Sequence, residues 1–262
     1  MNHRFTSGGL TLSAYVARPP GGRVGSETRG VVVSHGFPSA TIGARAAAAS
    51  YPELADRVAN ELGWVVLVPA FRGAADSEGH FSLGGWLEDL LSAVDHLHRE
   101  AAPGGVWLVG FGTGGALSIC AAARDPEIRG VAALAAPADF DDWAHQPRRL
   151  LDHARSIGLI RDPAFPPSFD RWARQLREVR AVQCMPQVRP RPVLIVHGTD
   201  DESVPAFDAR VLADAHASAE LRMIGGAGHT LRHDPRAMAV LLGWLDRQRL
   251  APPARSLSTQ GR

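Results

Sequence analysis

The apolar positions of this chain fall into two patterns. Short unbroken runs recur at Gly30-Val31-Val32-Val33-Ser34, Trp64-Val65-Val66-Leu67-Val68, Val106-Trp107-Leu108-Val109, Arg129 to Ala135 and Pro192-Val193-Leu194-Ile195-Val196. Runs of this length, bounded by turn residues, read as strands buried on both faces of a parallel sheet. The second pattern has helical spacing. Leu54, Val58 and Leu62 share a face within 52–62, with Gly63 as the stop, and Trp86, Leu87, Leu90, Leu91, Val94 and Leu97 share a face within about 83–99. Helices are also expected at about 113–123, 205–216 and 235–248, with a late strand at 221–224. Residues 4–18 alternate apolar with polar on the far side of a Gly8-Gly9 turn, which predicts a hairpin.

Strands alternating with helices predict an α/β fold, a mainly parallel central sheet with helices on both faces. The rhythm breaks over residues 137–191, which are richer in Pro, Trp, Phe and Arg. Two helices are expected there, near 148–157 and 168–182, as a helical cap inserted over the sheet edge. Residues 1–250 then read as a single domain and 251–262 as a disordered tail.

Composition narrows the function classes. A chain of 262 residues, 45% hydrophobic, can bury one sizeable core. A net charge of +1 gives no general case for a nucleic-acid or membrane partner, and all 28 basic residues are arginine. No apolar run reaches the ~20 residues of a membrane span, and the N-terminus lacks the apolar stretch of a signal peptide, so a cytoplasmic location is expected. Cys120 and Cys184 stand in no metal or redox spacing and read as free thiols in a reducing compartment. Neither a cofactor nor a metal is called for. His229 and His233 are four apart, but no helix-borne HExxH or cysteine partner accompanies them. The oligomeric state is not set by the sequence.

Ligands of open α/β sheets bind at the carboxyl ends of the strands. Every unusual motif here falls at such an end: 35–38, 69–79, 110–115, 197–205 and 225–230. The central one, Gly110-Phe111-Gly112-Thr113-Gly114, has the layout of the strand-to-helix turn G-x-S-x-G, with Gly112 in place of the serine. A glycine has no group with which to attack a substrate. It does tolerate the sparsely populated backbone of such a turn, which costs another residue ~1–3 kcal/mol. The Thr113 N–H should still point out of the helix N-terminus, where anions are favoured.

Taken together these motifs resemble the α/β-hydrolase superfamily, in the style of its small bacterial esterase and dienelactone-hydrolase-like branches, over about residues 10–248. The resemblance implies an oxyanion hole after the first His-Gly, His35-Gly36-Phe37-Pro38, with the Phe37 N–H as donor beside that of Thr113. It implies a catalytic acid at Asp201, within His197-Gly198-Thr199-Asp200-Asp201-Glu202-Ser203-Val204-Pro205, and a catalytic histidine at His229, within Gly226-Ala227-Gly228-His229. The segment Phe71-Arg72-Gly73-Ala74-Ala75-Asp76-Ser77-Glu78-Gly79 resembles a loop common in these hydrolases. Gly112 is the departure. In an established triad, loss of the serine costs on the order of 10⁶ in rate, with ~10³ over water left to the oxyanion hole and binding.

Three functions follow. One is an enzyme acting on an ester, thioester or related carbonyl substrate, with His229 held by Asp201 as general base and the Phe37 and Thr113 N–H groups, beside Gly36, facing the oxyanion. The second is a pseudo-hydrolase that binds a small acyl or carboxylate ligand, and the third a lyase or isomerase using proton transfer at the same histidine. Thr113, Ser34 and Ser77 are the candidates for a displaced nucleophile, and Asp200 is the fallback acid. His229 with Asp201 also admits a purely structural pairing. The side chain of His35 is expected to be structural, and His96 and His98 to sit on or near a solvated helix face. Arg171, Arg174, Arg177 and Arg180 read as a solvated cap face, or else a docking stripe for an anionic substrate tail. Trp143, Trp172, Phe165 and Phe169 read as an acyl pocket or as core.

Overall fold

The structure, a computed structural model, describes residues 2–21 and 25–250. The tail expected over 251–262 lies outside the described residues. Eight strands form one sheet: β1 (Asn2–Ser7), β2 (Leu10–Ala17), β3 (Gly30–Ser34), β4 (Val65–Pro69), β5 (Val106–Phe111), β6 (Ile128–Leu134), β7 (Val193–Gly198) and β8 (Glu220–Ile224). Their order is β1-β2-β4-β3-β5-β6-β7-β8. The hairpin β1–β2 joins β4 antiparallel, and every pairing from β4 through β8 is parallel.

The unbroken apolar runs have a direct cause. Successive side chains of a strand point to opposite faces. In β3, Val32 packs into one hydrophobic cluster while Val31 and Val33 pack into the other. In β5, Val106 and Leu108 go one way and Trp107, Val109 and Phe111 the other. Helices α1 (Pro52–Leu62) and α9 (Pro235–Leu250) cover the second face. Helices α2 (Leu83–Ala101), α3 (Thr113–Arg124) and α8 (Ala206–His216) cover the first.

Between β6 and β7 lie four helices rather than two: α4 (Asp141–His145), α5 (Pro147–Ser156), α6 (Phe169–Glu178) and α7 (Ala181–Val188). The helix expected over 168–182 breaks at Val179 and Arg180, both extended. The Arg180 guanidinium is pinned by Asp139 at 2.9 Å and Asp141 at 2.7 Å, and the Val182 N–H donates to Ala138 O. Arg180 is therefore no part of an arginine stripe, whereas Arg171, Arg174 and Arg177 lie exposed on α6.

One other expectation changes. His96 is half-buried, its ring against Phe5 and its Nε2 2.6 Å from that of His3, rather than on a solvated face; His98 is exposed. Cys120 and Cys184, unrelated in sequence spacing, meet where α3 packs on α7, with their sulfurs 3.2 Å apart as free thiols. No helix among the described residues is long and apolar enough to cross a membrane.

Candidate active site

The site is built at the junction of β5 and α3. Gly112 sits at the tip of that turn with φ 54° and ψ −124°, a conformation that side chains rarely adopt. Its N–H donates to Leu134 O on β6, which fixes the turn to the sheet. The flanking glycines are demanded by close approach. A Cβ on Gly110 would lie 2.3 Å from Gly114 O, and one on Gly114 would lie 2.5 Å from His35 O. Thr113 opens α3, where backbone N–H groups lack intrahelical acceptors.

His229 faces this turn from the loop after β8. A Cβ built on Gly112 would meet His229 Nε2 at 3.4 Å as its nearest neighbour. On the other side of the ring, Nδ1 lies 2.9 Å from Asp201 Oδ2. A carboxylate can only accept, so the proton sits on Nδ1 and the Nε2 lone pair faces Gly112. The His229 side chain is 39% exposed and that of Asp201 fully buried.

Asp201 is held by more than His229. Its Oδ1 accepts the N–H groups of Ser203 and Val204, both at 2.9 Å. His197 Nε2 stands 3.3 Å from Oδ2 and 3.0 Å from Val204 O. A carbonyl likewise only accepts, so His197 carries its proton on Nε2. Three N–H donors, from Ser203, Val204 and His229, offset the cost of removing this buried carboxylate from water. Asp200, the fallback acid, is exposed and occupied by the Thr199 hydroxyl at 2.7 Å.

The first His-Gly is positioned by its histidine. His35 is buried; it donates from Nδ1 to Gly36 O at 2.8 Å and accepts the Phe71 N–H on Nε2 at 3.2 Å. Burial lowers its pKa from 6.5 to about 4, so the ring is neutral, as the two contacts require. This clamp ties the Gly36–Phe37 corner to the loop after β4. In that loop Arg72 is fixed by the buried carboxylate of Asp89 at 2.8 Å. A Cβ on Gly36 would lie 3.0 Å from Phe111 O, so this corner passes close to the turn.

Gly36, Phe37, Gly112 and His229 line one cavity of about 670 Å³. Its remaining wall comes from the loop before α1, including Ile42 and Tyr51, and from Leu231 and Arg232. Sequence reasoning missed these residues; the only local signal for Arg232 is its place three after His229. The side chains expected for an acyl pocket are not among its lining. Trp172 is buried with its Nε1 bonded to Phe81 O, Phe169 packs on Trp172, and Phe165 packs on His80. Trp143 lines a separate cavity of about 430 Å³ with His153.

None of the three candidate displaced nucleophiles lines the cavity that holds His229. Ser34 is buried against Ser118 and Gly114 O. Ser77 is buried and donates to Ala70 O at 2.6 Å. The Thr113 side chain is buried and not part of the cavity wall. No group of three or more metal-ligating side chains occurs among the described residues.

The profile of the alpha/beta hydrolase family matches residues 31–241. The chain is 28% identical over 203 residues to 2-hydroxymuconate semialdehyde hydrolase from Pseudomonas sp. (strain CF600), covering 63% of this chain and 69% of that one. Among solved structures it is similar to Est1E from Butyrivibrio proteoclasticus, with a TM-score of 0.68, 21% identity and coverage of 95% and 97% of the two chains. It is also similar to the alpha/beta hydrolase GrgF from Penicillium sp. sh18, with a TM-score of 0.72, 20% identity and coverage of 96% and 99%.

Proposed function

The chain belongs to the alpha/beta hydrolase family, and we propose that it acts on an ester, thioester or related carbonyl compound through His229 and Asp201 without a serine nucleophile. The observation that carries this reading is the placement of His229. Its Nδ1 is held by Asp201 at 2.9 Å, and its Nε2 faces the space beside Gly112 where a nucleophile's side chain would stand.

A water in that space takes the serine's part. His229 Nε2 removes its proton, and the hydroxide attacks the carbonyl carbon. Negative charge gathers on the carbonyl oxygen, which accepts from the Phe37 and Thr113 N–H groups. The protonated imidazole, stabilised by the ionised Asp201, then gives its proton to the leaving alcohol or thiol. The neutral His35 has no part in proton transfer; it holds the Gly36–Phe37 corner in place.

The test is hydrolysis of a short-chain p-nitrophenyl ester panel by the wild type and by His229→Ala at one pH. Loss of a general base lowers the rate by about 10²–10⁴. Equal rates in the two proteins would overturn the reading. Gly112 itself favours a second reading, a ligand-binding protein without turnover. That reading predicts no hydrolysis and, with ligand at 100 times its Kd, a stabilisation of ~2.7 kcal/mol.

A further inference from the structure

The cavity beside His229 has an unusual electrical character. Its wall is apolar or hydroxyl-bearing over most of its extent, from Pro38 and Ile42 to Thr230 and Leu231. Among the described residues no acidic side chain lines it, and the one permanent cation there is Arg232. Arg232 is half-buried, with the Tyr51 hydroxyl as a hydrogen-bond partner and no ion pair to a carboxylate among the described residues. Its Nε is buried with no hydrogen-bond partner. The guanidinium carbon lies 5.6 Å from the centre of the Tyr51 ring, which is itself buried against Phe111.

A guanidinium taken partly out of water without an anion is a costly arrangement. Other half-buried arginines of this chain are saturated with acceptors: Arg72 has Asp89, Arg180 has Asp139 and Asp141, and Arg191 gives its guanidinium to the backbone carbonyls of Ala122, Asp125 and Ile128. Arg232 instead rests on an aromatic face at the wall of the cavity that holds His229. The Tyr51 hydroxyl marks the same spot. Burial raises its pKa, and the Arg232 charge, a hydrogen bond with the Gly36 backbone and a hydrogen bond with the Arg232 side chain oppose that shift, so Tyr51 is the neutral neighbour that holds the guanidinium in place.

We propose that Arg232, seated on Tyr51, is the anchor for a carboxylate on the ligand, so that the compound bound beside His229 is an anionic acyl compound such as the half-ester of a dicarboxylic acid. This inference rests on the reading of the same cavity as the reaction site. One guanidinium in an apolar wall matches one negative charge. A phosphate monoester brings about −1.5 to −2 and would stay undercompensated. Arginine also suits the planar carboxylate, which accepts two of its parallel N–H bonds. Arg232 follows His229 by three residues across a single 3₁₀ turn, Leu231–His233. The anchor and the imidazole are therefore carried on one rigid piece of backbone, and the distance from carboxylate to reacting carbonyl becomes a fixed ruler.

The experiment is calorimetric binding of the monomethyl esters of malonic, succinic, glutaric and adipic acids, each against its neutral dimethyl ester. It uses wild type, Arg232→Gln, Arg232→Lys and His229→Ala. The expected result is one chain length at which the wild type prefers the monomethyl ester by about 10-fold or more, the usual worth of a charge-assisted contact. Arg232→Gln removes the preference, Arg232→Lys keeps part of it, and His229→Ala keeps it whole. Equal affinity of the wild type for both esters at every length, or no binding of either, overturns the proposal whether or not a variant folds. So does a preference that survives in Arg232→Gln. Turnover measured on the same esters separates the two readings. A carboxylate preference without hydrolysis removes only the hydrolytic role, and hydrolysis without a preference removes only the anchor.

Discussion

Gly112→Ser places a hydroxyl at the tip of the turn between β5 and α3, facing His229 Nε2. The backbone at position 112 keeps φ 54° and ψ −124°, so a serine there bears a conformational cost of ~1–3 kcal/mol. There is no steric cost to add, because the nearest atom to the new Cβ is His229 Nε2 at 3.4 Å. At about 2–4 °C per kcal/mol for a chain of this size, the melting temperature should fall by roughly 2–12 °C. A hydroxyl on that Cβ reaches Nε2 at an ordinary hydrogen-bond distance. In established triads the serine–histidine unit is worth about 10⁶. A gain of at least about 10³ in kcat/KM on p-nitrophenyl acetate, some 4 kcal/mol of transition-state stabilisation, is the modest expectation here. Rapid mixing should also show a burst of p-nitrophenol as an acyl-enzyme accumulates. The gain must vanish in Gly112→Ser/His229→Ala. A folded Gly112→Ser protein with no gain, or a gain indifferent to His229, would refute the geometry on which the reasoning rests.

Three further expectations concern the frame around the site. The folded protein holds His35 neutral down to about pH 4, whereas the unfolded chain protonates it near 6.5, so its contribution is present at neutral pH and is lost as pH falls through that window. The stability advantage of wild type over His35→Gln in urea should therefore shrink by about 3 kcal/mol between pH 7 and pH 4; a constant difference would contradict the buried neutral ring. Asp89→Ala leaves the Arg72 guanidinium with only the exposed Glu88 as its acid and frees the Ser7 hydroxyl at a fully buried carboxylate site, and should cost about 3–5 kcal/mol by denaturant unfolding, with a loss below ~1 kcal/mol counting against it. Gly110→Ala forces a methyl to within 2.3 Å of Gly114 O and should lower stability by about 1–3 kcal/mol or more; an unchanged melting temperature would show that the turn is looser than described.

Much of the fold was legible because it is written locally. Five unbroken apolar runs mark strands buried on both faces, and the Leu54-Val58-Leu62 spacing marks a helix packed on one side of them. The order of the motifs also placed Gly36, Phe37, Gly112 and His229 near one another, since each follows a strand of a parallel sheet and such ends converge. Gly112 itself needed no structure. The turn pattern shows a glycine at its centre, and a glycine has no side chain with which to attack a substrate.

What the sequence left open depends on contacts between distant residues. The break at Arg180 comes from Asp139 and Asp141, some forty positions away, and overrides a helical pattern that runs through it. The meeting of Cys120 with Cys184 depends on how α7 packs across α3. The tautomer of His229 is set by Asp201, 28 residues earlier, and Asp201 in turn by His197 and the Ser203 and Val204 backbone. The cavity wall comes from the loop before α1 and from Arg232, and none of Trp143, Trp172, Phe165 and Phe169, which read as an acyl pocket or as core, lines it. Hydrophobic period fixes which face of an element is buried, and so it carries the architecture. It says nothing about which polar groups meet once those faces close, and the chemistry of this site lies in those meetings.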